Sequence, residues 1–135
     1  MPERVSPAVR VERMIPILNV RSVPDSVRYY VDVLGFKVDW DASDYASVSL
    51  DRHAIMLCQG GQGQSGTWIW IGVEDVEELF HKYTASGAKF RQELTNYTWA
   101  YEMRIEDLDG HVLRFGSDSR TDRPFEPLDS SYNRV

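Results

Sequence analysis

At 135 residues the chain is long enough for one hydrophobic core or two small units. Its 15 Lys and Arg against 21 Asp and Glu leave a net charge of −6, which argues against nucleic acid as a partner, because phosphate binding needs clustered cations. Hydrophobic residues at 42% and charged ones at 27% are globular values, and no apolar run reaches membrane-spanning length.

Residues 1–12 are polar, contain Pro2 and Pro7, and read as an arm. No apolar signal region lies in Met1 to Arg10, and the single cysteine, Cys58, has no partner for an internal disulfide; both fit a cytoplasmic protein. A first module is expected over residues 13–59. Met14 to Val20 reads as a strand, with Pro16 placing it at an edge or a strand start. Arg21 to Pro24 breaks the pattern, and Asp25 begins a helix whose Val27, Tyr30, Val31 and Leu34 fall at helical spacing before Gly35. Period 2 then returns in Phe36-x-Val38-x-Trp40, in Tyr45 to Leu50 and, after the Asp51-Arg52-His53 turn, in Ala54 to Cys58.

Residues 60–66, Gly-Gly-Gln-Gly-Gln-Ser-Gly, have the composition of a linker. A phosphate-binding loop would lead into a helix, and here a strand follows. That strand, Thr67 to Val73, places Trp68, Trp70 and Gly72 on one face and Ile69, Ile71 and Val73 on the other. Neither face is polar. The next helix, with Val76, Leu79, Phe80 and Tyr83 on one stripe and Gly87 at its end, is expected to cover the Ile/Val side. The Trp side then needs another apolar partner: a ligand cavity, a second subunit or a second sheet. Phe90 to Leu94, Trp99 to Ile105 and His111 to Gly116 read as three more strands, the last two joined at Asp109-Gly110, completing a second module over residues 67–117. Residues 118–135 form a polar, Pro-interrupted tail. Val20-x-x-Val23…Gly35 aligns with Val73-x-x-Val76…Gly87, a repeat of about fifty residues. The expected fold is α+β: two βαβββ modules, each a half-open sheet with a helix on its outer face.

Candidate chemistry is sparse. His53 falls in a turn, His81 on a helix and His111 beside a turn, and all three are expected as solvated side chains rather than a metal site. Cys58 sits in an apolar run without an evident histidine partner, and Ser47 and Ser49 read as solvent-facing strand positions. Glu102, between Tyr101 and Met103, reads either as a buried carboxylate with a raised pKa or, more ordinarily, as a solvated or arginine-paired strand residue.

Four stretches carry a resemblance: Ile15-Pro16-Ile17-Leu18-Asn19-Val20; Ser26-Val27-Arg28-Tyr29-Tyr30 leading to Leu34-Gly35-Phe36; Trp68-Ile69-Trp70-Ile71; and Asp107-Leu108-Asp109-Gly110-His111 with Leu113-Arg114-Phe115. With the paired modules, they resemble the vicinal oxygen chelate superfamily, which includes glyoxalase I, extradiol dioxygenases, fosfomycin-modifying enzymes and the bleomycin resistance proteins. The resemblance implies metal-ligand positions at Ile15, Trp68 and Arg114. An alkyl group, an indole and a guanidinium cannot ligate a divalent cation. No metal, cofactor or catalytic residue is therefore expected.

Among the members, the chain is most similar to the metal-free bleomycin resistance proteins, acidic dimers that sequester a large cationic glycopeptide. That likeness implies a homodimer with a small-molecule ligand, and a groove lined by Trp40 and Trp99. Thr98-Trp99-Ala100 stands where those proteins have Pro-Trp-Gly. Trp68, Trp70, Glu102 and Arg114 complete the expected ligand-binding set, with Asp39, Asp41, Asp44 and Glu102 as the expected charge complement of a cation. A metal-dependent enzyme of the same superfamily and a binding module for another small ligand are the alternative expectations.

Overall fold

The computed structural model describes residues 9–127. The elements run β1 (Ile17–Val20), α1 (Val23–Arg28) continued by a π-helical turn (Tyr29–Val33), β2 (Lys37–Asp41), β3 (Tyr45–Leu50) and β4 (His53–Gln59). They continue as β5 (Trp68–Gly72), α2 (Val76–Ser86), β6 (Lys89–Asn96), β7 (Tyr101–Glu106) and β8 (Val112–Ser117). Each half makes a four-stranded sheet, in the orders β1-β4-β3-β2 and β5-β8-β7-β6, with the first and last strands parallel and the others antiparallel. The architecture is the expected α+β pair of βαβββ modules, except that the helices face the joint between the modules rather than lying on an outer face.

Element ends depart from the pattern for local reasons. The first helix begins at Val23, before Asp25, because the Ser22 hydroxyl accepts from the Asp25 N–H at 3.2 Å and Pro24 lies in the first turn, where its missing N–H costs nothing. β1 starts at Ile17 because Pro16 has no N–H to give, although its carbonyl accepts from Met56 N at 2.9 Å. β7 starts at Tyr101 rather than at Trp99. Tyr97 N donates to Ala100 O at 2.9 Å, and the turn so closed carries Trp99 out of the sheet. Residues 60–66 pack across β1: Asn19 Nδ2 donates to Gly63 O at 3.3 Å, and a Cβ on Gly63, which has φ +84°, would stand 2.9 Å from Ile17 O.

The two modules share one core. Leu18, Val20, Val48, Ile55 and Leu57 of the first join Met103, Ile105, Leu113 and Phe115 of the second, and Ile69, Ile71 and Val73 turn toward it as their alternation requires. Each fully buried large apolar side chain contributes about 1.5–3 kcal/mol. The modules meet through their helical sides. Tyr30 Oη donates to Asp107 Oδ2 at 2.8 Å, Tyr29 Oη to Glu106 O at 2.7 Å, Tyr83 Oη to Leu34 O at 2.7 Å and Ser86 Oγ to Val33 O at 2.7 Å. Burial holds the Tyr30 phenol well above its ordinary range, with the Asp107 charge adding to it, and burial likewise raises Tyr83. Both therefore remain donors.

His111 corrects the expectation of a solvated ring: it is fully buried at this joint. Its Nδ1 accepts from Thr67 N at 3.0 Å, so the proton sits on Nε2, which donates to Asn19 O at 2.7 Å. Ser47 and Ser49 are also buried rather than solvent-facing, because both hydroxyls donate to Asp39 across the strand pair, at 2.9 and 2.6 Å. Cys58 is buried, as its apolar run implies. Since the modules join on their helical sides, the free face of each sheet stays at the surface of the single chain. On these faces Trp40 is exposed on the first sheet and Trp70 on the second.

Candidate functional site

The free face of the second sheet collects most of the residues singled out in the sequence. β5 offers Trp68 and Trp70, β8 offers Arg114 and β7 offers Glu102 and Arg104; cross-strand register sets Trp70 beside Arg114 and Arg114 beside Arg104. Gly72 and Gly116 pair in the next row. A Cβ on Gly116 would stand 2.4 Å from a Trp70 ring carbon, so the indole lies directly over this glycine. Half of Trp70 remains exposed, at 50%.

Glu102 has no solvent-accessible surface, yet it is a carboxylate. Arg114 accounts for this. Its Nε donates to Glu102 Oε2 at 3.1 Å and its Nη2 to Oε1 at 3.2 Å, a two-pronged contact that a lysine could not make. The Trp99 indole N–H donates to Oε1 at 2.8 Å. The Arg114 guanidinium in turn lies over the Trp70 ring, 5.2 Å from its centre, and Trp99 stacks on Tyr97 at 4.5 Å with planes 6° apart. Tyr97, Trp99, Glu102, Arg114 and Trp70 thus form one continuous series of contacts. Trp68 belongs to a second series: Arg91 and Arg104 both lie over its ring, each 5.2 Å from the centre. Its indole therefore holds two guanidiniums in place more than it offers a bare face.

Trp40 is not part of this group. It sits on β2 of the other sheet, exposed, and stacks on Tyr45 at 5.8 Å. Asp39, Asp41 and Asp44 lie on the same sheet or its β2–β3 turn, Asp39 engaged with Ser47 and Ser49 and Asp41 with Ser43 N. Glu102 is likewise engaged, so it is not available to neutralise a bound cation. Sequence reasoning passed over Tyr97, Arg91, Arg104 and Gly116. Arg104 was within reach, since it alternates with Glu102 on β7 and so shares its face; Tyr97 was not, because its position depends on the turn.

The residues present do not fit the divalent ion of the superfamily's enzymes. Ile15 precedes β1, Trp68 is flanked by cations and Arg114 is spent on Glu102. Among the described residues no group of three or more His, Cys, Asp and Glu side chains lies close enough to hold a metal. No helix among them is long and apolar enough to cross a membrane.

The Glyoxalase model, which describes the Glyoxalase/Bleomycin resistance protein/Dioxygenase superfamily, matches residues 10–115. The chain belongs to that superfamily. Similar solved structures include TioX from Micromonospora sp. ML1, 23% identical with a TM-score of 0.71 over 80% of this chain and 99% of that one. The bleomycin-binding protein of bleomycin-producing Streptomyces verticillus, solved with copper(II)-bleomycin, is 21% identical with a TM-score of 0.68 over 82% of this chain and 99% of that one. The hypothetical protein SA1046 from S. aureus is 22% identical with a TM-score of 0.63 over 81% of this chain and 95% of that one. At these identities the likeness shows the fold. No curated protein sequence matches significantly.

Proposed function

We propose that this protein binds and sequesters a cationic aromatic small molecule, of the bleomycin class, without chemical change. The observation that carries this reading is the pairing of Arg114 with buried Glu102 beneath exposed indoles. Where a catalytic relative would need an electron-pair donor there is a committed ion pair, and around it stand flat rings suited to stacking. A structural neighbour crystallised with copper(II)-bleomycin supports the choice of ligand. The binding set is Trp70 and Trp99 with Arg114 and Glu102 as their support, Trp68 at the margin, and Trp40 contributed by a second copy of the chain.

A homodimer is part of the proposal, because the exposed faces of both sheets carry large apolar groups that a single chain leaves uncovered. Metal-free bleomycin is expected to quench the intrinsic tryptophan emission saturably, and Trp99→Ala to weaken binding at least tenfold. Absence of saturable quenching at concentrations up to about 50 µM would remove the bleomycin-class reading. A stoichiometric divalent ion in the purified protein, together with a chelator-sensitive activity, would replace it with an enzyme.

A further inference from the structure

Beyond β8 the chain turns back and is pinned across the sheet. Asn96, almost wholly buried, holds it with both ends of its amide: Nδ2 donates to Arg120 O at 2.8 Å and Pro124 O at 3.3 Å, and Oδ1 accepts from Arg120 N at 2.8 Å. The Asn96 carbonyl accepts from Glu126 N at 2.7 Å. Arg120 and Arg123 both lie over the Tyr101 ring, Arg123 Nη1 donates to the Tyr101 hydroxyl at 2.7 Å, and both arginines reach Glu77 on α2, at 3.3 and 3.9 Å. A polar tail with three separate anchors is a strap.

The strap closes one side of a cleft of about 840 Å³, within the range of small-molecule sites. The opposite walls are Trp70, Trp99 and the β5–α2 turn, so the cleft opens at the end of the aromatic series described above. Glu74, Asp75, Glu77 and Asp118 line it; Glu77 is matched by Arg120 and Arg123, which leaves the other three to set the negative sign of the rim. The Asp75 side chain accepts from Glu78 N at 3.0 Å, so the positive end of α2 is already satisfied and does not make the cleft an anion site. The superfamily model ends at residue 115, before the strap begins.

We propose that residues 118–126 are a specificity wall, which turns the open end of the Trp70/Trp99 face into a recess selective for planar aromatic cations. This rests on the reading of that face as a ligand site, and adds which part of the ligand is chosen and by what. Indole faces attract a flat cation through their quadrupoles, and the carboxylate rim sets the sign of charge. The strap supplies Asp118 and fixes Arg120 against Glu77, so its position decides both the width and the charge of the recess.

The test uses the full chain with two dyes of similar ring size, proflavine (cationic) and anthracene-9-carboxylate (anionic), each followed by its own fluorescence anisotropy. Proflavine is expected to bind saturably and at least tenfold tighter than the anionic dye. Asn96→Ala and, separately, Arg123→Gln are expected to weaken proflavine about tenfold with the melting transition still cooperative; Arg123→Gln carries the test if Asn96→Ala does not fold. Unchanged proflavine affinity in Arg123→Gln, alongside its loss in Trp99→Ala, would overturn the wall while leaving the aromatic face as a ligand site. Equal or tighter binding of the anionic dye would overturn the charge selection. If the wild type binds bleomycin but not proflavine, the recess is wrong and the function stands; if it binds neither, both fall.

Discussion

Glu102 and Arg114 are unequal partners. The glutamate side chain is fully buried, while a quarter of the arginine side chain reaches solvent. Removing the arginine therefore leaves a charge with nowhere to go, whereas removing the glutamate frees a cation that can swing outward. Arg114→Met is expected to cost about 3 kcal/mol in chemical denaturation and Glu102→Gln distinctly less, with the double replacement Arg114→Met, Glu102→Leu recovering most of the loss. Equal costs for the two single changes would contradict this account of the pair. Gly116→Ala tests the neighbouring contact. Its methyl would displace the Trp70 ring, which is half exposed and can move, so the expected result is a shifted tryptophan emission with a stability loss under about 1 kcal/mol.

The elements show which parts of the site were legible before the fold was known. Trp68 and Trp70 share a face because strand period 2 fixes it; Arg114 was reached through the family resemblance, and only cross-strand register sets it and Glu102 on that same face. Trp99 is different: as a strand residue it would point with Tyr101 and Met103 into the core, and only the Tyr97–Ala100 turn frees it to reach Glu102. Chain-local pattern also misjudged His111, Ser47 and Ser49. Their burial comes from partners distant in sequence or one strand away, namely Asn19, Thr67 and Asp39, and no window of neighbouring residues contains that information. The helix start failed for the opposite reason: Pro24 reads as a breaker in isolation but is well placed one turn inside a Ser cap.

At the scale of the molecule, the joint between modules is made by buried phenols, and this gives the stability a pH dependence. Tyr30 and Tyr83 have raised folded-state pKa values, so the folded protein keeps protons that the unfolded chain begins to give up near pH 10. The unfolded state binds fewer protons there, and stability falls as pH rises from about 10 upward; below that it is unaffected by these groups. Tyr83→Phe is expected to lose about 1 kcal/mol at neutral pH, for the hydrogen bond to Leu34, and to make the alkaline decline shallower when melting temperature is followed from pH 7 to 11. An alkaline limb as steep as that of the wild type would place the titration elsewhere. The repeated architecture itself was plain from the fifty-residue spacing. How the copies dock was not, because both helices present apolar stripes and the sequence does not say which surface each will seek.

The docking is reciprocal: the first helical segment sends the Tyr30 hydroxyl into the far copy, and the second sends Tyr83 back. A nascent chain that has cleared the ribosome only as far as its glycine stretch therefore has half an interior and no acceptor for its own phenol. Productive closure must await synthesis of the remaining copy, which makes the early half a natural client for whatever shields apolar surface during translation.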